Sequence, residues 1–145
     1  MSNTIQQLSV FVENSKGRMA EITKVIADAG VDIRALSVAD TSDFGILRLI
    51  VDQPEKAIQS LKTAGMTVSL TDVIAVGIDD TPGTFARAVS IMSDADINIE
   101  YMYAFISRSD GKAFVIMRVD DNDRGIKALS DAGVRLLEPK EIYCM

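Results

Sequence analysis

Two short segments of the sequence combine polar residues with a glycine at the start of a predicted helix. They are ENSKGR, residues 13–18, and DDTPGT, residues 79–84. A glycine at this position lets a small anion approach the unpaired backbone N–H groups, where the helix dipole is positive. In the first segment, Lys16 and Arg18 add positive charge. Both segments are therefore candidate sites for a small anion.

Simple helix capping explains the same residues and stays open as an alternative. Ser15 and Thr81 are typical N-cap residues, and Pro82 suits the first position of a helix. The two segments also differ in charge, which indicates that the two sites they would form are not equivalent.

Most of the common catalytic groups are missing from the sequence. The 145 residues include no histidine, and Cys144 is the only cysteine. A structural zinc site, a cysteine–histidine pair and a serine–histidine triad all need more than this. We therefore predict no catalytic residues, no bound metal and no cofactor.

Two further motifs have simpler explanations. DDNDRG, residues 120–125, resembles the start of a calcium loop, but Arg124 occupies the fifth ligand position and Asp131 the twelfth. A strand end followed by a helix cap explains its acidic residues. GKAFVIM, residues 111–117, loosely resembles an RNA-recognition signature but lacks the basic-glycine-aromatic opening and the final aromatic residue.

Composition limits the partners and the location of the protein. A chain of 145 residues that is 48% hydrophobic can bury one continuous core or two small ones. The formal net charge of −6 disfavours binding to nucleic-acid phosphates. No N-terminal apolar segment approaches the length of a signal peptide or a membrane span. We predict a cytoplasmic protein with no nucleic-acid and no membrane partner.

The sequence repeats itself at a nearly constant offset. Gly17 and Gly83 lie 83 − 17 = 66 residues apart. The same offset relates Val10 to Val76, Ala20 to Ala86 and Ile33 to Ile99, and an offset of 119 − 51 = 68 relates Val51 to Val119 and Leu61 to Leu129. The insertion of two residues falls in the predicted turn SRSDGK, as expected for a duplicated domain. We predict two domains, residues 1–72 and 73–145.

Each copy has the pattern βαββαβ. Alternating apolar residues predict the strands, and apolar residues at three- and four-residue spacing predict the helices. MTVSLTDV, residues 66–73, is the predicted last strand of the first copy. VIAVGID, residues 73–79, and VRLLEPKEIY, residues 134–143, open and close the second copy. The fold class is α+β, with two tandem ferredoxin-like units whose helices lie on one face of an antiparallel sheet.

One face of each sheet lacks helices. The alternation places Val10, Leu36, Leu47, Leu49, Met102, Ala104, Val115 and Met117 toward the helices, and Phe11, Ile46, Ile50, Tyr101, Tyr103, Phe105, Phe114 and Ile116 on the open face. A large apolar patch of this kind is normally covered. We expect a second sheet to cover it, either in a homodimer or by folding of the two copies on each other.

The βαββαβ unit with DxPG-like residues before its first helix resembles the ACT domain, a small-molecule-sensing module of amino-acid metabolism. Asp80-Thr81-Pro82-Gly83 fits this pattern, whereas the first copy carries Lys16 in place of the proline. ADTSDFGILRLIV, residues 39–51, and the two-copy length are similar to stand-alone tandem ACT proteins. The resemblance covers almost the whole chain.

The resemblance implies that an amino acid binds between two ACT units, at the strand–helix loop of one and the second strand of its neighbour. The ligand carboxylate would meet the backbone of one loop, and Asn14 or Asp80 would hold the ammonium group or close the loop. The implied ligand-binding residues are Asn14, Ser15, Lys16, Gly17, Arg18, Asp40, Thr41, Ser42, Asp80, Gly83 and Thr84. Of these, Asp40, Thr41 and Ser42 would form a polar rim, or else an ordinary hairpin turn.

We therefore expect a non-catalytic regulatory or sensor protein that forms a homodimer and acts on a partner enzyme or regulator. Two other classes stay open. One is a scaffolding homodimer that acts through the aromatic sheet face, and the other is a small enzyme that uses carboxylates or a lysine.

Overall fold

The computed structural model of the chain describes residues 4–13, 15–40, 44–106 and 112–143. Asn14, Thr41, Ser42 and Cys144, which the sequence analysis names, lie outside these residues, as does most of the SRSDGK turn.

The described residues form seven strands and five helices. The first copy contains β1 (Thr4–Glu13), α1 (Arg18–Asp28), β2 (Ile33–Asp40), β3 (Phe44–Val51) and α2 (Pro54–Thr63). Strand β4 (Val68–Asp79) leads into the second copy, which contains α3 (Thr84–Asp94), β5 (Ile99–Ile106), β6 (Lys112–Val119), α4 (Asn122–Asp131), β7 (Arg135–Leu136) and α5 (Pro139–Tyr143). The predicted α+β fold with two tandem ferredoxin-like units is confirmed.

The chain divides into two compact units. The first unit comprises Gln6–Thr71 and residues 142–143, and the second comprises Asp72–Glu141 and residues 4–5. The boundary falls inside strand β4, so the units share a strand instead of being joined by a linker. We keep 1–72 and 73–145 as the proposed limits of the two sequence repeats.

The first unit has an antiparallel sheet with strand order β2-β3-β1-β4. Val10 lies opposite Leu47 in the register of β1 with β3. The side chains of this sheet face and of the two helices form one core: Leu8, Val10, Leu47, Leu49, Ile22, Ile26, Ala57 and Leu61. The placement of Val10, Leu47 and Leu49 toward the helices is confirmed.

The edge strand β2 carries two apolar side chains that this core does not bury. Leu36 lies opposite Leu49 and is 56% exposed, and Val38 lies opposite Leu47 and is 50% exposed. Directly opposed residues of an antiparallel pair point to the same sheet face. Leu36 is therefore on the predicted face but at its margin.

The second unit repeats the same order with strands β5-β6-β4-β7. Its core combines β4 and β6 with helices α3 and α4 through Ile74, Val76, Val115, Met117, Ala88, Met92 and Leu129. Each element of the first unit thus has a counterpart in the second at the offsets found in the sequence.

Two predicted elements differ from the structure. MTVSLTDV and VIAVGID form the single strand β4, and VRLLEPKEIY forms the two-residue strand β7 followed by helix α5. Pro139 accounts for the second difference, because its ring fixes φ and its nitrogen lacks a hydrogen. Proline therefore cannot continue a sheet ladder but suits the first turn of a helix.

Part of the helix-free sheet face is already buried within one chain. Ile50 and Ile116 are fully buried and Phe114 is 6% exposed, whereas Phe11 is 42% exposed. The Phe11 ring stacks on Phe44 with a centroid distance of 4.3 Å. A second copy of the chain is therefore not needed to bury these three residues. None of the helices in the described part of the chain is long and apolar enough to cross a bilayer.

Replacement of Leu49 by alanine should lower the free energy of unfolding by about 2–5 kcal/mol, because it opens a cavity in the first core. Leu36→Ala removes the same atoms from the opposing, exposed position and should change stability by only about 0.5 kcal/mol. Urea unfolding of both variants measures the difference. Equal costs would contradict the assignment of Leu49 to the core and of Leu36 to the surface.

Candidate functional site

The two polar segments found in the sequence form matching turns between a strand and a helix. Gly17 precedes α1 with φ 86° and ψ −10°, and Gly83 precedes α3 with φ 93° and ψ −17°. Both glycines are in the left-handed region, which other residues adopt only at a cost. A Cβ atom built on either glycine would meet nothing within 4 Å. Conformation, and not lack of space, therefore accounts for glycine here.

These glycines are themselves the N-cap residues. The prediction that Ser15 and Thr81 are N-caps and that Pro82 is the first helical residue is wrong. The helices begin after the left-handed glycine because that residue completes the turn. Within the turns, the N–H groups of Arg18 and Thr84 make only long bonds of 3.4 Å, to the carbonyl oxygens of Ser15 and Thr81.

The N-cap residues of α1 and α3 are glycines, which have no side chain to accept an N–H group of the first turn. Helix α4 differs, because the carboxylate of Asp121 accepts the N–H of Arg124 at 3.1 Å. This bond confirms the interpretation of DDNDRG as a helix cap. The first turns of α1 and α3 instead offer their N–H groups and positive dipole ends to an external anion.

In the first unit, Ser15, Lys16 and Gly17 are exposed and Arg18 is half-buried. The Arg18 guanidinium is 2.9 Å from the Glu21 carboxylate, one turn further along α1. The Nε atom of Arg18 is buried and has no hydrogen-bond partner among the described residues. Arg18 is thus partly neutralised, which leaves Lys16 as the more exposed cation of this loop.

In the second unit, Asp80 and Gly83 are exposed and Thr84 is half-buried. The Thr84 hydroxyl lies 2.5 Å from the carbonyl oxygen of Asp79 and 2.9 Å from that of Thr81. It therefore ties the start of α3 to the end of β4. Asp40 is the last residue of β2.

A cavity of about 240 Å³ lies beside this second loop. Its walls come entirely from the second unit: Gly77, Ile78, Asp79, Thr84, Arg87, Ala88, Phe114, Gly133, Val134 and Arg135. Thr84, a predicted ligand-binding residue, lines the cavity together with Asp79 and Arg87. Arg87 and Arg135 are not among the residues predicted from the sequence.

Both cavity arginines use a terminal nitrogen inside the unit. Arg87 donates to the carbonyl oxygen of Ala132 at 2.7 Å, and Arg135 donates to Oε1 of Glu141 at 2.5 Å. The other carboxylate oxygen of Glu141 accepts the N–H of Glu138 at 2.7 Å. Glu141 therefore joins β7 to the start of helix α5.

The same contacts perturb the titration of Glu141. The backbone N–H of Glu138 lowers the pKa of the Glu141 carboxyl below its ordinary value, and Arg135 adds to the effect, while partial burial opposes it. The ionised form of Glu141 is thus the form that the fold stabilises.

No group of three or more histidine, cysteine, aspartate or glutamate residues in the described ranges is placed to hold a metal ion. The polar groups of both loops and of the cavity are suited to binding a small charged molecule by hydrogen bonds.

Two βαββαβ units in one chain, each with a glycine turn before its first helix, define a tandem ferredoxin-like protein. A family model described as an ACT domain pair matches residues 3–145. The chain therefore belongs to the ACT domain pair family. No curated protein sequence matches it.

Solved structures agree with this assignment. A protein from Bacteroides thetaiotaomicron is 37% identical, with 99% of this chain and 100% of that chain covered and a TM-score of 0.93. The ligand-free regulatory subunit of aspartate kinase from Thermus thermophilus is 17% identical over 88% of this chain and 91% of its own, with a TM-score of 0.63. That second likeness shows the fold alone. Aspartate kinase from Synechocystis is 25% identical over 94% of this chain and 28% of its own, with a TM-score of 0.57.

Acid should remove the contribution of Glu141 to stability. Because the folded state lowers its pKa, the stabilisation is complete above the unfolded pKa of about 4.3 and is lost as pH falls through the folded pKa. Glu141→Gln should therefore lower stability at neutral pH by about 1 kcal/mol or less, and the difference from the parent protein should vanish in acid. Thermal melts from neutral pH to about pH 3 measure this.

Glu138→Gln is the matched control, since it removes a nearby carboxylate and keeps the Glu138 N–H. A Glu141→Gln difference that persists unchanged at the lowest pH would contradict the proposed role of the ionised carboxylate.

Proposed function

We propose that the chain is a non-catalytic regulatory protein that senses an amino acid through its strand–helix loops, at an interface between ACT units of a homodimer. Membership in the ACT domain pair family supports this proposal. So does the fold shared with the regulatory subunit of an aspartate kinase. A cytoplasmic location fits the predicted role in metabolism.

The observation that carries the proposal is the pair of helix starts at Gly17 and Gly83, whose N-cap residue has no side chain. The carboxylate of an amino acid can accept the first-turn N–H groups there and lie at the positive end of the helix dipole. Asn14 or Asp80 then receives the ammonium group. Asp40, Thr41 and Ser42 supply the rim from the neighbouring unit.

The two loops offer different electrostatic environments. Lys16 and Arg18 make the first loop positive, whereas Asp79 and Asp80 make the second negative. A carboxylate is favoured at the first loop and an ammonium group at the second. One loop therefore contributes more to affinity than the other.

Regulation requires that the ligand bind two arrangements of the protein with different affinities. A partner enzyme or regulator then reads the favoured arrangement. The net charge of −6 makes nucleic acid an unfavourable partner, so we place the response in protein–protein contacts.

Scaffolding through the aromatic sheet face is the weaker candidate. Phe114 and Ile116 are buried within one chain, which reduces the apolar area left for a partner on that face. The exposed pair of helix starts at Gly17 and Gly83 has no role in a pure scaffold. We therefore rank sensing above scaffolding.

Thermal stability of the ligand-stripped protein should rise selectively with one or a few of the twenty amino acids. A ligand at a hundred times its dissociation constant adds roughly 2.7 kcal/mol to the free energy of unfolding. Gly17→Ala and Gly83→Ala should each cost about 1–2 kcal/mol from the left-handed backbone, and the one at the dominant loop should also weaken the ligand at least tenfold. Calorimetric titration of each variant measures the affinity.

Gly65→Ala is the matched control. Gly65 has φ +82° and open space around its Cβ position, so it carries the same backbone cost away from both loops. Unchanged affinity in both loop variants would contradict the site, and no response to any amino acid at millimolar concentration would contradict sensing.

A further inference from the structure

Three residues that line the cavity of the second unit differ in type from the residues at the corresponding positions of the first unit. Gly77 corresponds to Phe11 at the offset 77 − 11 = 66, and Arg87 corresponds to Glu21 at 87 − 21 = 66. Arg135 corresponds to Thr67 at 135 − 67 = 68.

The structure supports these correspondences. Gly77 lies opposite Arg135 in the pairing of β4 with β7, and the N–H of Phe11 bonds the carbonyl oxygen of Thr67 at 2.9 Å. The second unit has thus lost a phenyl ring and gained two cations at one place.

Gly77 keeps this space open. A Cβ atom at Gly77 would lie 3.5 Å from Leu137 Cδ1 and 3.6 Å from Arg135 Cδ, so a methyl group fits there in ordinary contact with the lining residue Arg135. Its φ is not in the left-handed region, so backbone strain does not explain the glycine.

The lining has the chemistry of a small carboxylate site. Ile78, Ala88 and Val134 supply an apolar wall, and Arg87 and Arg135 supply guanidinium groups. A guanidinium has five N–H donors and pairs with a carboxylate through two of them. The volume of about 240 Å³ is below the ~300–1,000 Å³ of drug-sized pockets, which indicates a smaller molecule.

We propose that this cavity binds a small molecule with one carboxylate and a compact apolar body, and that its carboxylate replaces Glu141 on Arg135. The cavity adjoins the second loop through Asp79 and Thr84, but all of its lining residues belong to one unit, so it needs no interface between ACT units.

Binding there acts on the C-terminal helix. Glu141 holds Arg135 with one oxygen and the N–H of Glu138 with the other, at the start of α5. A ligand that takes Arg135 from Glu141 removes one of these two bonds, so we expect it to loosen the start of α5 and to make the cavity a regulatory input.

Three probes with the same isobutyl group test the ligand chemistry by calorimetry on the full chain. L-Leucine has both charged groups, isocaproate lacks the ammonium group, and isoamylamine lacks the carboxylate. Leucine or isocaproate should bind and isoamylamine should not. A preference for leucine over isocaproate would show that the site selects amino acids. Equal affinity for the two would show that it accepts carboxylates in general. Absence of binding by both at millimolar concentration, or equal binding of isoamylamine, would overturn the proposal.

Two variants should change affinity in opposite directions. Arg135→Gln should weaken binding about tenfold or more through loss of a charge-assisted pair. Glu141→Gln should strengthen binding a few-fold, because it removes the competing carboxylate. Arg124→Gln is the control, since Arg124 donates to the carbonyl oxygen of Ala95 at 2.6 Å, much as Arg87 does to Ala132, but does not line the cavity. Wild-type affinity in Arg135→Gln would overturn the proposal.

Hydrogen exchange of the peptide that contains α5 gives a second readout. Ligand should speed exchange in the parent protein and not in Arg135→Gln. The Gly83→Ala variant separates the two proposals. If Gly83→Ala loses binding and Arg135→Gln keeps it, the loop site is supported and the cavity is excluded. The reverse would support the cavity and exclude that loop. Slower or unchanged exchange in the liganded parent protein would overturn the coupling to α5.

Discussion

The fold depends on one backbone constraint: in each unit, the chain passes from its first strand into its first helix through a residue with positive φ. Gly17 and Gly83 meet this constraint with nearly the same dihedral angles. Because the turn ends at the glycine, the helix starts without a polar side chain at its cap. The same turn places Thr84 against the end of β4 and thereby forms one wall of the cavity.

The sequence was sufficient to predict the fold because its signals agree across both copies. The alternating apolar residues of the strands, the apolar spacing of the helices and the glycines recur at an offset of 66 and then 68 residues. The elements predicted in one copy therefore support those predicted in the other. The helix starts were placed too early because capping preferences favour Ser15 and Thr81, whereas the left-handed turn requires glycine. The prediction of one strand over residues 134–143 is wrong for another reason. Strand β7 is too short to give a periodic signal, and Pro139 starts a helix.

The site was only partly predictable for a different reason. The loops repeat, so spacing alone identifies them. Arg87 and Arg135 lie on separate elements, and their approach to one cavity depends on how α3 and β7 pack beside β4. Comparison of the two copies position by position gives one signal that periodicity does not. Gly77, which lines the cavity, stands where the first copy has Phe11.

Strand β4 crosses the boundary between the units without a linker, and each unit also includes residues from the far end of the chain. A fragment ending at Thr71 would lack residues 142–143, and one starting at Asp72 would lack residues 4–5 and the first third of strand β4, Val68–Thr71. No single cut therefore releases an intact unit. The two repeats are thus continuous in sequence, whereas each compact unit combines residues from two separate parts of the chain.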